Sequence, residues 1–309
     1  MTKIERVRLE SRVRLNIARG LMAKQRRQCV NGHPLPSFLA NSLPKAGTHL
    51  LVRVLEEMSN IRQVRFQPSG FHYDKFRPKG TEPRLELGVA WPLPVSRRRV
   101  ARALRRLPGG TFVTAHVPHT RDMASLMRDL STKMVLIVRD PRDVAVSSGE
   151  YWAREDGHPL APHFQALSPP ERLRASLLGV APTPERQGLR DIGQRLGSVI
   201  DWQDEEFVHV TRFEDLVGPL GGGSRERQLD AIQKIGLHVH NQCSASQAER
   251  IAERVFGGTA TFRKGQIGGW RERFDESHLL AAKPLLGDAL IRLNYEVNLD
   301  WAEIRPSRR

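Results

Sequence analysis

The sequence predicts an α/β fold, a central parallel sheet flanked by helices, and three observations carry that prediction. Strand-like and helix-like stretches alternate along most of the 309 residues, the pattern of a doubly wound sheet. The strand-like stretches, above all Ser37–Leu43 and Thr132–Val138, are short and largely apolar without alternation, as strands covered on both faces must be. Residues 36–55 then read as strand, lysine-bearing turn and helix start, a unit that gathers anions at the edge of such a sheet.

In order along the chain, residues 1–28 carry apolar positions at partly helical spacing among arginines and lysines. This predicts a basic amphipathic helix, assigned as a unit to residues 1–30. Packing on the domain is its expected role, with pairing to another subunit or contact with an anionic membrane surface as alternatives. Asn31-Gly32-His33-Pro34 breaks it. Pro44 ends the strand at Ser37–Leu43, and Gly47 permits a tight turn. From Thr48, Leu50, Leu51, Val54, Leu55 and Met58 recur at helical spacing.

Ile61–Phe66 predicts a second strand, and residues 67–95, rich in proline and aromatics, a long loop. Val95–Leu107 reads as an arginine-rich surface helix stopped by Pro108-Gly109-Gly110. Thr111–His116 is a strand, Arg121–Leu130 a helix, Thr132–Val138 a central strand, and about 142–151 a helix. Residues 155–170 read as a mobile segment. Helices near 170–179 and 185–200, a strand at Phe207–Thr211, a loop at Gly218–Ser224, and helices near 225–236, 246–255 and 276–292 complete the chain. Residues 31–300 form one domain on this reading, with 301–309 a basic tail.

Composition sets the class. Hydrophobic content of 39% and charged content of 27% are ordinary for a soluble globular protein. There is no uninterrupted apolar run long enough to span a bilayer. The start lacks the apolar core of a signal peptide, and Cys29 and Cys243 make neither a disulfide framework nor a zinc site, so a cytoplasmic setting is expected. The formal charge of +15, from 49 Lys+Arg against 34 Asp+Glu, favours anionic partners.

The chemistry concentrates at strand ends, where ligands bind in open α/β sheets. Free N–H groups at the turn and helix start, with the charge of Lys45, make an anion site. His116 and Arg139 end two other predicted strands. Arg139 and Ser147 can meet on one anion, through a bidentate fork and a hydroxyl. Arg142–Asp143 reads alternatively as a structural ion pair. Arg263, Lys264 and Gly265 place two cations beside an accessible glycine N–H.

Pro-Lys45-Ala46-Gly47-Thr48-His49 is not a Walker A loop, because its lysine precedes the glycine. It resembles the 5′-phosphosulfate loop of the sulfotransferases that use 3′-phosphoadenosine 5′-phosphosulfate (PAPS). Arg139-Asp-Pro-Arg142-Asp143-Val-Ala-Val-Ser147 resembles that family's 3′-phosphate motif. Arg263-Lys264-Gly265-Gln-Ile-Gly268-Gly-Trp270 resembles its closing loop, Phe112–Pro118 the strand end that bears its general base, and Phe213-Glu214-Asp215-Leu216 a segment beside the adenosine, with Phe213 for the usual tyrosine. Ala46, His49, Leu50 and Thr114 depart from the pattern and suggest a bacterial-type branch.

The resemblance, over roughly residues 36–280, implies a P-loop-NTPase-like architecture without a metal. His116 would serve as base and Lys45 as stabiliser of the departing phosphate. Lys45, Ala46, Gly47, Thr48, His49, Arg139, Ser147, Phe213, Arg263, Lys264 and Gly265 would hold PAPS or its product, adenosine 3′,5′-bisphosphate (PAP). The acceptor would be a hydroxyl or amine, on a carbohydrate or lipid headgroup among other candidates, and a homo-oligomer is compatible. Two rivals are a metal-dependent P-loop kinase, prompted by Asp140, and a basic nucleic-acid-binding protein, prompted by the charge. The first lacks a Ser/Thr after the loop lysine, and the second lacks a recognition motif.

Overall fold

The computed structural model describes residues 29–30, 33–64, 76–155, 157–240, 242–255 and 265–302. The helix predicted over residues 1–28 therefore lies outside the described residues. Cys29–Val30 (β1) and His33–Pro34 (β2) pair antiparallel ahead of the main sheet.

Five strands, Phe38–Ser42 (β3), Arg62–Gln63 (β4), Thr111–Ala115 (β7), Lys133–Val138 (β8) and Val208–Arg212 (β9), form one sheet in the order β4-β7-β3-β8-β9. Every neighbouring pair is parallel. β8, expected to be central, is paired on both sides, and β3 lies in the middle of the sheet, where Ala40 faces Thr114 on one side and Val135 on the other.

Alternate residues of these strands feed two cores. Leu39, Val113, Met134 and Leu136 pack with Met123, Leu126 and Met127 of Arg121–Asp129, and with helices further along the chain. Phe38, Ala40, Phe112, Val135 and Ile137 pack on the other face with Leu51, Val54 and Leu55 of Thr48–Glu56 (α1) and with Ile232 and Ile235. Both faces are dry, so the strands read as continuous apolar runs.

The segments that diverge from the sequence reading are the connections. Within the expected loop at 67–95, Arg84–Leu87 (β5) and Leu93–Ser96 (β6) form an antiparallel hairpin. Buried Leu85, Leu87 and Val95 hold it on the domain, and its alternating pattern is short enough to be hidden by prolines. The segment expected to be mobile at 155–170 buries Leu160 and Phe164 around a short helix, Ala161–Gln165. Phe164 packs 5.0 Å from the ring of Trp152. Among the described residues no helix is long and apolar enough to cross a membrane.

Candidate active site

β7, β3, β8 and β9 are neighbours and run the same way, so their carboxyl ends make one row. His116 follows β7, Lys45 lies in the turn after β3, Arg139 follows β8 and Phe213 follows β9. With strands about 4.8 Å apart, this row spans roughly 15 Å.

The turn is shaped by backbone geometry. Lys45 and Gly47 both have positive φ, 71° and 109°, and Ala46 N–H donates to the Leu43 carbonyl at 3.0 Å. A Cβ on Gly47 would stand 2.8 Å from Phe213 Cδ2 and 3.0 Å from Ile137 Cδ1, so the turn fits only a glycine. Gly47 is the N-cap of α1, which has neither a capping side chain nor an acid in its first turn. The positive helix end is thus left for an outside anion. Ala46 is buried and offers only backbone, whereas His49 is exposed. Thr48 Oγ1 lies 2.7 Å from Ser42 Oγ.

His116 is fixed from two sides. Its Nδ1 lies 2.7 Å from the Ser42 carbonyl oxygen, which can only accept, so Nδ1 carries the proton and Nε2 is the free basic nitrogen. The buried amide of Asn41 donates to the Val117 carbonyl at 3.0 Å and accepts from its N–H at 2.9 Å, tying the end of β7 to β3. Burial pushes the His116 pKa down, with the charges of His49 and Lys45 adding to it against the Ser42 hydrogen bond. Lys45 is lowered to about 8, chiefly by burial and further by Arg139, while Glu155 opposes the shift.

Arg139 lies 4.2 Å over the ring of Phe213 and donates from Nη2 to the Gln266 carbonyl at 2.9 Å. Its Nε is buried without a partner. Asp143, one turn into Pro141–Trp152 (α4), accepts the N–H groups of Gly268 at 2.9 Å and Trp270 at 2.8 Å. It fastens the C-terminal loop beside Arg139. Ser147 lies half-buried one turn further on, on the face it shares with Asp143 and Tyr151 at spacings of four. Gly265 has φ 56°, and Arg263 and Lys264 lie outside the described residues.

The ion pair read between Arg142 and Asp143 is replaced by other partners. Buried Arg142 donates to Asp140 from its backbone N and Nε, both at 2.9 Å, and from Nη2 at 2.7 Å. It pairs with Glu296 and lies 4.0 Å and 4.9 Å from the rings of Trp270 and Trp301. Asp140 is thereby consumed, which removes the motive for reading it as a magnesium ligand. Asn41, Asp143 and Tyr151 are the site residues missed by the sequence reading. A polar Asn in an apolar strand and the four-residue stripe 143, 147, 151 were the available signals.

A parallel sheet whose central strand runs through a glycine turn into an uncapped helix defines an α/β protein of the phosphate-loop type. Within that class, residues 35–178 match the model of the sulfotransferase domain. Mouse sulfotransferase SULT7A1, crystallised as a complex with PAP, is similar in fold, with a TM-score of 0.57 and 16% identity over 82% of this chain and 84% of that one. Retinol dehydratase, in complex with androsterone and inactive cofactor PAP, aligns with a TM-score of 0.47 and 18% identity over 83% of this chain and 82% of its own. No curated protein matches the sequence.

Proposed function

We propose that the protein moves the sulfuryl group of PAPS to an acceptor hydroxyl or amine, with His116 as the base. The observation that carries this reading is the row of His116, Lys45, Arg139 and Phe213 along one sheet edge, beside an uncapped helix start. Two features fit a doubly phosphorylated nucleotide. The turn at Gly47 has no space for a side chain, and the buried Nε of Arg139 has no protein partner. The 5′-phosphosulfate would lie on residues 45–49. The 3′-phosphate would meet Arg139, Ser147 and the loop of Arg263, Lys264 and Gly265, with Phe213 near the adenosine.

In the transfer, the acceptor oxygen or nitrogen attacks sulfur in line while the bond from sulfur to the bridging oxygen breaks. That oxygen leaves with the electron pair on the 5′-phosphate of PAP, and the acceptor proton passes to His116 Nε2. Lys45 stabilises the charge that grows on the departing oxygen, where electrostatic stabilisation has most effect. The test is calorimetry of PAP against adenosine 5′-monophosphate and ATP–Mg²⁺, with an acceptor screen read by the mass of added sulfate. Preference for PAP together with a sulfated product supports the reading. Binding of ATP–Mg²⁺ in place of PAP overturns it.

A further inference from the structure

Lys45 stands beside a like charge, Arg139 from the end of β8. The imidazoles of His49 from α1 and His116 from the end of β7 lie within the field of Lys45. From α4 come Tyr151, whose ring centroid lies 4.1 Å from the Lys45 Nζ, and, just past its end, Glu155. Among the described residues Glu155 is the acid that acts on Lys45, and it acts on Tyr151 as well. A cation seated on an aromatic face is attracted by the ring quadrupole. The Glu155 carboxylate adds to the attraction.

The proposed reaction gives this contact a purpose. The residue that neutralises a leaving oxygen must be both charged and held near it before the donor binds. The turn itself supplies Lys45 with no anion, and burial works against its charge. We propose that Tyr151 and Glu155 are positioning residues for Lys45, the ring seating its ammonium and the carboxylate balancing the charge of Arg139 until the donor arrives. This rests on the sulfuryl-transfer reading for its purpose, though not for its geometry. Donor phosphate then takes over the role of Glu155, so the pair matters most to the free enzyme.

The experiment is a pH titration of Lys45 in the full chain without nucleotide, after reductive ¹³C-methylation, by NMR. The Lys45 signal is assigned by its loss in Lys45→Arg. Glu155→Gln removes the acid that favours the ammonium, so the midpoint falls by roughly half a unit or more. Tyr151→Leu removes the ring and shifts the Lys45 methyl resonance, whereas Tyr151→Phe keeps the ring and most of that resonance position. PAP affinity in Glu155→Gln stays within about twofold, because phosphate replaces the carboxylate.

A Lys45 midpoint unchanged in Glu155→Gln, or a resonance unchanged in Tyr151→Leu, overturns the inference whether or not sulfuryl transfer occurs. Failure of the wild type to bind PAP instead overturns the functional reading, and the titration still decides the contact.

Discussion

The Nδ1 of His116 lies 2.7 Å from the carbonyl oxygen of Ser42, the last residue of the neighbouring strand. A carbonyl cannot donate, so this contact selects the tautomer whose Nε2 is free to take a proton. His116→Ala is expected to lower kcat by about 10²–10⁴-fold, the usual contribution of a positioned base. PAP affinity measured by calorimetry should change little.

The pH dependence follows from the same site. Because the His116 pKa is pushed down by burial, its basic form persists below the ordinary histidine range. The rate should therefore fall on the acid side only beneath about 6.5. Lys45 is lowered to about 8, so the rate should decline as pH rises through that value and the ammonium is lost. A pH–rate profile of kcat/KM checks both limbs.

On the proposed mechanism Lys45→Ala removes the charge that stabilises the leaving oxygen and is expected to cost about 10²–10³-fold in kcat. The measurement is initial-rate kinetics at saturating donor. A kcat kept at the wild-type level would assign the leaving-group role elsewhere.

Arg139→Ala should weaken PAP by roughly ten- to a hundredfold, the size of one lost charge-assisted hydrogen bond. Binding of adenosine 5′-monophosphate should be much less affected. Parallel titrations of the two nucleotides give the ratio, and equal losses would separate Arg139 from the 3′-phosphate.

Two substitutions probe the scaffold. Gly47→Ala forces a Cβ to 2.8 Å from Phe213 at φ 109° and should destabilise the fold by about 1–3 kcal/mol. Arg142→Ala leaves buried Asp140 without its cation and should cost about 3–5 kcal/mol. Denaturant unfolding measures both.

The order of the five main-sheet strands and of the longer helices, the glycine turn at Lys45 and the candidate residues at the strand ends were legible in the sequence, because they depend on local periodicity and on residue types at short spacing. What only the tertiary structure decided are contacts between residues far apart in the chain. Asn41 meets Val117, Asp143 receives the loop at Gly268, Arg142 reaches past its neighbour Asp143 to Glu296, and Tyr151 comes to lie under Lys45. No periodicity encodes such meetings, since they arise from the strand order β7-β3-β8-β9 and from the two cores that fix each helix against the sheet. The turn at residues 44–47 names the ligand's charge, and the neighbours that the fold brings to it set the proton and charge state in which it works.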